Sequence, residues 1–121
     1  MKDKQNNVIQ IKSFNFSIRI IKLSLYLSKQ KWEYIISKQI IRSGTSIGAN
    51  IEEAIGGYSK KDFMNKISIA YKEARETLYW IKLLYATNFL SEKEYHSISI
   101  DCRELLKILT KILITCKKSK S

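Results

Sequence analysis

Residues 91–116, SEKEYHSISIDCRELLKILTKILITC, decide the fold. Tyr95, Ile98, Cys102, Leu105, Leu109, Ile112 and Cys116 recur at alternating spacings of three and four, which places all seven on one face of a single helix. Ser91-Glu92-Lys93-Glu94 ahead of them has the spacing of a capping box, in which serine and glutamate satisfy orphan amides of the first turn. A heptad rhythm sustained this long predicts near-parallel helix packing, the geometry of coiled coils and four-helix bundles.

The preceding residues supply three partners of the same kind. Ser59-Lys60-Lys61-Asp62 repeats the capping pattern and opens a third helix that reaches Asn88, with the seam Phe63, Ile67, Ala70, Ala74, Thr77, Ile81 and Leu84. A second helix runs from near Trp32 to Gly56-Gly57, with Ile36, Ile40, Ser43, Ile47, Asn50 and Ala54 as its seam. Gly44 and Gly48, one turn apart, allow a neighbouring backbone to approach closely, with a helix bend at Gly44 as the competing explanation. Asn50 reads either as a buried hydrogen-bonding residue that fixes register or as the wet edge of the seam.

The first helix, about Ile11 to Ser28, is apolar on two sides. Ile11, Phe14, Ile18, Ile21 and Leu25 form one stripe, expected to face the core, and Phe16, Ile20, Leu23 and Leu27 form another roughly 200° around the axis. Either wide apolar faces feed the core of a single bundle, or four helices have more apolar surface here than they can bury internally. The second reading is favoured because the two stripes are nearly opposed. Phe16, Ile20, Leu23, Leu27 and Trp80 are therefore the candidate interface residues of a homo-oligomer.

Proline is absent and glycine occurs four times, so long helices meet few breakers. Short connections near residues 28–31, 56–59 and 88–91 make successive helices antiparallel neighbours. The expectation is one all-α domain over residues 1–121, an up-down-up-down antiparallel four-helix bundle with frayed ends at about 1–8 and 117–121.

Twenty-two Lys and Arg against eleven Asp and Glu give a net charge of +11, which attracts polyanions. Eighteen of the cations are Lys and valine occurs once, a composition that AT-rich coding would also produce. Position is more informative than total. Lys61, Asn65, Ser68, Lys72, Arg75, Tyr79 and Lys82 follow helical spacing on the third helix, about 160° from its seam. Such a ridge suits phosphates, with Tyr79 available to stack on a base; the bland alternative is the solvated face that any soluble helix needs. Lys12, Arg19, Lys22 and Lys29 form a second cationic group on the first helix, which merges with that ridge if the two helices adjoin.

Catalytic constellations are missing from the pattern. His96 is the single histidine and no Cys-x-x-Cys occurs, which argues against metal sites, and no cofactor is expected. His96 lies five residues from Asp101 and six from Cys102, off the helical neighbour spacing that a triad would need. Gly44-Thr45-Ser46-Ile47-Gly48 lacks the Gly-Lys-Ser/Thr ending of a phosphate loop. Met1 to Asn7 is polar, and the apolar run Ile18 to Leu27 carries Arg19 and Lys22, so neither secretion nor membrane spanning is expected. Cys102 and Cys116 sit about 21 Å apart along one helix, too far for a disulfide, and read as reduced cytoplasmic cysteines.

Arg42-Ser43-Gly44-Thr45-Ser46-Ile47-Gly48-Ala49-Asn50-Ile51-Glu52-Glu53-Ala54, followed by Ser59-Lys60-Lys61-Asp62-Phe63 and Ala70-Tyr71-Lys72-Glu73-Ala74-Arg75-Glu76-Thr77, resembles the bacterial four-helix bundle proteins encoded in 23S ribosomal RNA intervening sequences. Many members carry Ala-Glu-Gly where this chain has Glu52-Glu53-Ala54. The resemblance implies an up-down bundle assembled as a homopentamer, akin to the basic accessory protein of diversity-generating retroelements, and implies no enzymatic activity. The family name records where such genes lie. The expected function is a non-catalytic homo-oligomer that binds RNA or another nucleic acid through basic outer faces; the alternative is an interaction module for an acidic protein partner.

Overall fold

The computed structural model describes residues 4–119, and among them the chain forms four α-helices: α1 Lys4–Gln30, α2 Ile36–Ile55, α3 Lys60–Ala86 and α4 Glu92–Lys118. Helix runs from Lys4 through Lys118 and so covers part of the ends expected to fray at about 1–8 and 117–121; residues 1–3, 120 and 121 lie outside the described residues.

The helix ends follow local chemistry. Ser91 and Glu94 form the complete capping box at α4, and the Ser59 hydroxyl accepts the Asp62 amide at 3.1 Å at α3. Asn88 adopts the left-handed conformation, φ 69°, just beyond α3. Its amide donates to the Tyr85 carbonyl at 3.1 Å and the Phe89 amide to the Leu84 carbonyl at 2.9 Å, a Schellman closure. The start of α2 differs from expectation, moving from near Trp32 to Ile36. Trp32 sits at φ 53° and turns the chain, and the Glu33 carboxylate then accepts the amides of Ile35, Ile36 and Ser37 at 3.1, 3.0 and 2.7 Å. An acid serving three orphan amides of a first turn is a cap that a search for Ser, Thr or Asp overlooks.

The helices form a closed square in which α1 packs on α2, α2 on α3, α3 on α4 and α4 on α1, while the backbones of the diagonal pairs stay apart. The α1–α4 edge is the sparsest of the four. Cross-links fix the register: Gln10 to Glu52 and Ser24 to the Ser37 carbonyl join α1 and α2, and Lys66 to Glu53 joins α3 to α2. Ser43 and Thr77 share a buried hydroxyl–hydroxyl hydrogen bond of 2.9 Å between α2 and α3, and the Cys102 thiol of α4 lies 3.4 Å from the Ala74 carbonyl of α3.

The face of α1 that enters the core is the opposite of the one expected. Phe16, Ile20 and Leu27 are buried, at 2, 0 and 0 % exposure, and Leu23 packs beside them, so this stripe is core and is not available as an oligomer interface. Ile11 and Phe14 stand 62 and 65 % exposed, with Ile18, Ile21 and Leu25 continuing the outward row. Size complementarity decides between the two sides. A β-carbon on Gly44 would meet Ile20 at 2.7 Å, and one on Gly48 would meet the Ser17 hydroxyl at 3.3 Å and the Ser13 carbonyl at 3.4 Å. The buried stripe is thus Ile9, Ser13, Phe16, Ile20, Ser24 and Leu27, whose small serines let α2 come close. Ser13 and Ser24 satisfy their hydroxyls on the carbonyls of Gln10 and Ser37.

Asn50 is half-buried and donates to the Ser46 carbonyl of its own helix at 2.8 Å, so it links no two helices. Trp80 is half-buried against the core.

Candidate nucleic-acid interface

Ion pairing sorts the cations of the surface into two populations. Arg42 of α2 engages both Glu73 and Glu76 of α3, Lys12 of α1 pairs with Glu104 of α4 at 3.2 Å, and Arg19 reaches Asp101 at 2.7 Å and Ser97. The acids in the middle of α3 and α4 are thereby drawn toward α2 and α1. On the remaining side, where α3 meets α4, cations accumulate, and in its middle, from Tyr71 to Lys82 of α3 and from Arg103 to Thr110 of α4, no acid is among the lining residues.

That side is a groove of about 560 Å³ walled by Arg75, Tyr79 and Lys82 of α3 and by Arg103 and Lys107 of α4, with Leu78 and Leu106 lining it and Tyr71 and Thr110 toward one end. None of Arg75, Lys82 and Lys107 makes an ion pair among the described residues; Arg103 leans toward the Tyr95 hydroxyl at 3.5 Å. A second hollow, of about 940 Å³, also lies between α3 and α4; Lys60, Lys61, Asn65, Ser68 and Lys117 line it together with the acid Asp62. Opposed rows of cations along a seam with an apolar floor match a polyanion of regular charge spacing.

Of the residues the sequence singled out, Lys61, Arg75, Tyr79 and Lys82 line these two hollows, and Lys72 stands exposed on the same helix. The α1 group does not join them. Helices α1 and α3 are diagonal, so the two cationic groups stay apart, and Lys12 and Arg19 are engaged with acids of α4. Lys22 is exposed beside a separate hollow between α1 and α4, shared with Tyr26 and Lys93. Sequence reasoning missed Arg103 and Lys107, although their separation of four residues on the far side of the α4 seam is itself a ridge signal.

Tyr79 is 57 % exposed, yet its ring is held. It stands edge-on to the Trp80 ring, with centroids 5.1 Å apart and planes at 66°. The Trp80 indole N–H donates to the Glu76 carboxylate at 3.0 Å, and Glu76 is gripped by Arg42. A chain of contacts therefore runs from α2 to the lip of the groove.

Nucleophile chemistry finds no support at Cys102 of α4. Burial pushes the Cys102 thiol up from 9.0 to about 12, which keeps it protonated and unreactive. Among the described residues no group of three or more His, Cys, Asp or Glu is placed to hold a metal ion, and no helix is long and apolar enough to cross a membrane.

The model of one protein family, described as 23S rRNA-intervening sequence protein, matches residues 4–111. The chain belongs to this family. A crystal structure of a protein of unknown function from the S23 ribosomal protein family of Bacteroides thetaiotaomicron VPI-5482 is similar to it at 47 % identity and a TM-score of 0.89, covering 90 % of this chain and 97 % of that one. No curated protein matches. In this chain, the stretch from Arg42 to Ala54 that carries the resemblance has a packing role on both sides: Gly44 and Gly48 face α1, and Arg42 faces α3.

Proposed function

We propose that this protein is a non-catalytic, homo-oligomeric bundle, up-down-up-down in topology, that binds RNA or another nucleic acid through the α3–α4 face. One observation carries the reading. Ion pairs with α2 and α1 engage the acids in the middle of α3 and α4, and leave Arg75, Lys82, Arg103 and Lys107 facing one another across a groove without a counter-charge. Phosphate contacts dominate such binding, which makes it steeply salt-dependent.

Self-association is assigned to the outward row Ile11, Phe14, Ile18, Ile21 and Leu25, an unpartnered apolar face on a single protomer. Five copies is the stoichiometry that the family resemblance implies. Light scattering should return about five times the 14.1 kDa chain mass. Titrating structured RNA across a salt series tests the binding: affinity should fall steeply with salt, and a flat response, or no binding near physiological salt, removes the reading. An acidic protein captured from nuclease-treated lysate in place of nucleic acid would favour the interaction-module alternative.

A further inference from the structure

The α3–α4 groove is built differently from a face that only neutralises phosphate. We infer that it takes a single, unpaired nucleic-acid strand, with the sugar-phosphate backbone between Arg75 and Lys82 on one wall and Arg103 and Lys107 on the other and one base stacked on Tyr79. This rests on the nucleic-acid reading above and specifies the state of the ligand.

Three features lead there. The groove, at about 560 Å³, has the size of a small-molecule cleft, so a base and its backbone fit inside it, whereas a base-paired helix would lie over its mouth. Its charges stand on both walls rather than on one convex ridge, which suits a backbone lying in the groove more than a duplex resting across it. Tyr79 offers an exposed ring among these cations, and only an unstacked base can lie on it. The ring is also oriented in advance. Trp80 meets it edge-on at 5.1 Å and is itself tied by its indole N–H to Glu76, so Trp80 and Glu76 act as positioning residues for the platform. A tyrosine needed only to cover the surface would not require that support.

The test measures anisotropy of a labelled RNA strand of about twelve nucleotides without self-complementarity, alone and annealed to its complement, at one salt concentration, with the DNA strand in parallel. The single strand should bind about tenfold tighter than the duplex. Tyr79→Ala should lower strand affinity by about tenfold, the scale of one lost base stack, and leave duplex affinity unchanged, whereas Tyr79→Phe keeps the preference. Trp80→Phe should lie between, losing strand affinity alone. In a Trp32→Phe background the strand, not the duplex, should change the emission of Trp80. Circular dichroism confirms that each variant is folded. Equal binding of strand and duplex, or equal weakening of both by Tyr79→Ala, overturns this inference and leaves the broader nucleic-acid reading standing. Displacement of the strand by poly-glutamate at equal charge concentration also overturns it, in favour of an acidic peptide. Absence of binding by either form removes both.

Discussion

Gly44 of α2 stands so close to Ile20 of α1 that a β-carbon there would lie 2.7 Å from the Ile20 γ2-methyl. Both positions are buried, and neither helix has a flexible chain end at the contact that could swing aside. Gly44→Ala should therefore lower stability by up to about 2 kcal/mol, because an overpacking cost of about 1–3 kcal/mol outweighs the roughly 1 kcal/mol gained in helix propensity. Gly48→Ala meets its nearest atom at 3.3 Å and should be close to neutral. Urea denaturation of both variants measures the contrast, and similar losses at the two sites would contradict it.

The two stripes of α1 should behave in opposite ways. Phe14→Glu and Ile18→Glu change exposed positions and are expected to yield a helical protomer of lower mass in light scattering. Phe16→Ala removes a ring that is 2 % exposed and should cost about 3–5 kcal/mol of stability. A Phe14→Glu protein that loses helicity instead would return the outer row to the core.

Charge reversals should separate the cations that are paired from those that are not. Arg75→Glu and Lys107→Glu should weaken nucleic-acid binding and lower the slope of log affinity against log salt by about one per lost phosphate contact. Arg19→Ala should leave that slope unchanged and cost at most about 1 kcal/mol of stability, since its bond to Asp101 is partly exposed. An Arg19 effect on the slope as large as that of Arg75 would place α1 in the binding face.

Stability should fall in alkali through Cys102. Its folded pKa is raised by burial from 9.0 to about 12, so on unfolding the thiol ionises at lower pH than it does when folded. The unfolded state then holds fewer protons between about pH 9 and 12, and stability decreases as pH rises through that window, at a limit of about 1.4 kcal/mol per pH unit. Lysines titrate in the same range, so the comparison is with Cys102→Ala, whose pH profile should be flatter above pH 9. Identical slopes would remove the contribution.

Four helices were legible because each carries apolar residues at helical spacing and two carry serine caps, signals that act within a few residues. The seams of α2, α3 and α4 correspond closely to the buried faces, with Ile51 buried where Asn50 was named. What failed on α1 failed for a physical reason. Its true inner row holds Ser13 and Ser24, which look polar in a list but satisfy themselves on backbone carbonyls and fit the glycine-bearing helix. Hydrophobicity ranks Ile11, Phe14 and Ile18 above them; steric fit to a partner helix does not appear in one helix's pattern. The groove was half legible for a similar reason. The α3 wall is a periodic row, but its complement on α4 becomes a site only when the two helices are placed side by side.

Helices α1 and α3 occupy opposite corners of the square. Copies joined through the outer row of α1 would thus turn their α3–α4 clefts away from the shared axis, spaced around the rim. A filament long enough to touch several of them at once would be retained by avidity, each grip being weak and quickly released while the whole lets go slowly. Chain length would then govern retention, and short fragments would exchange freely.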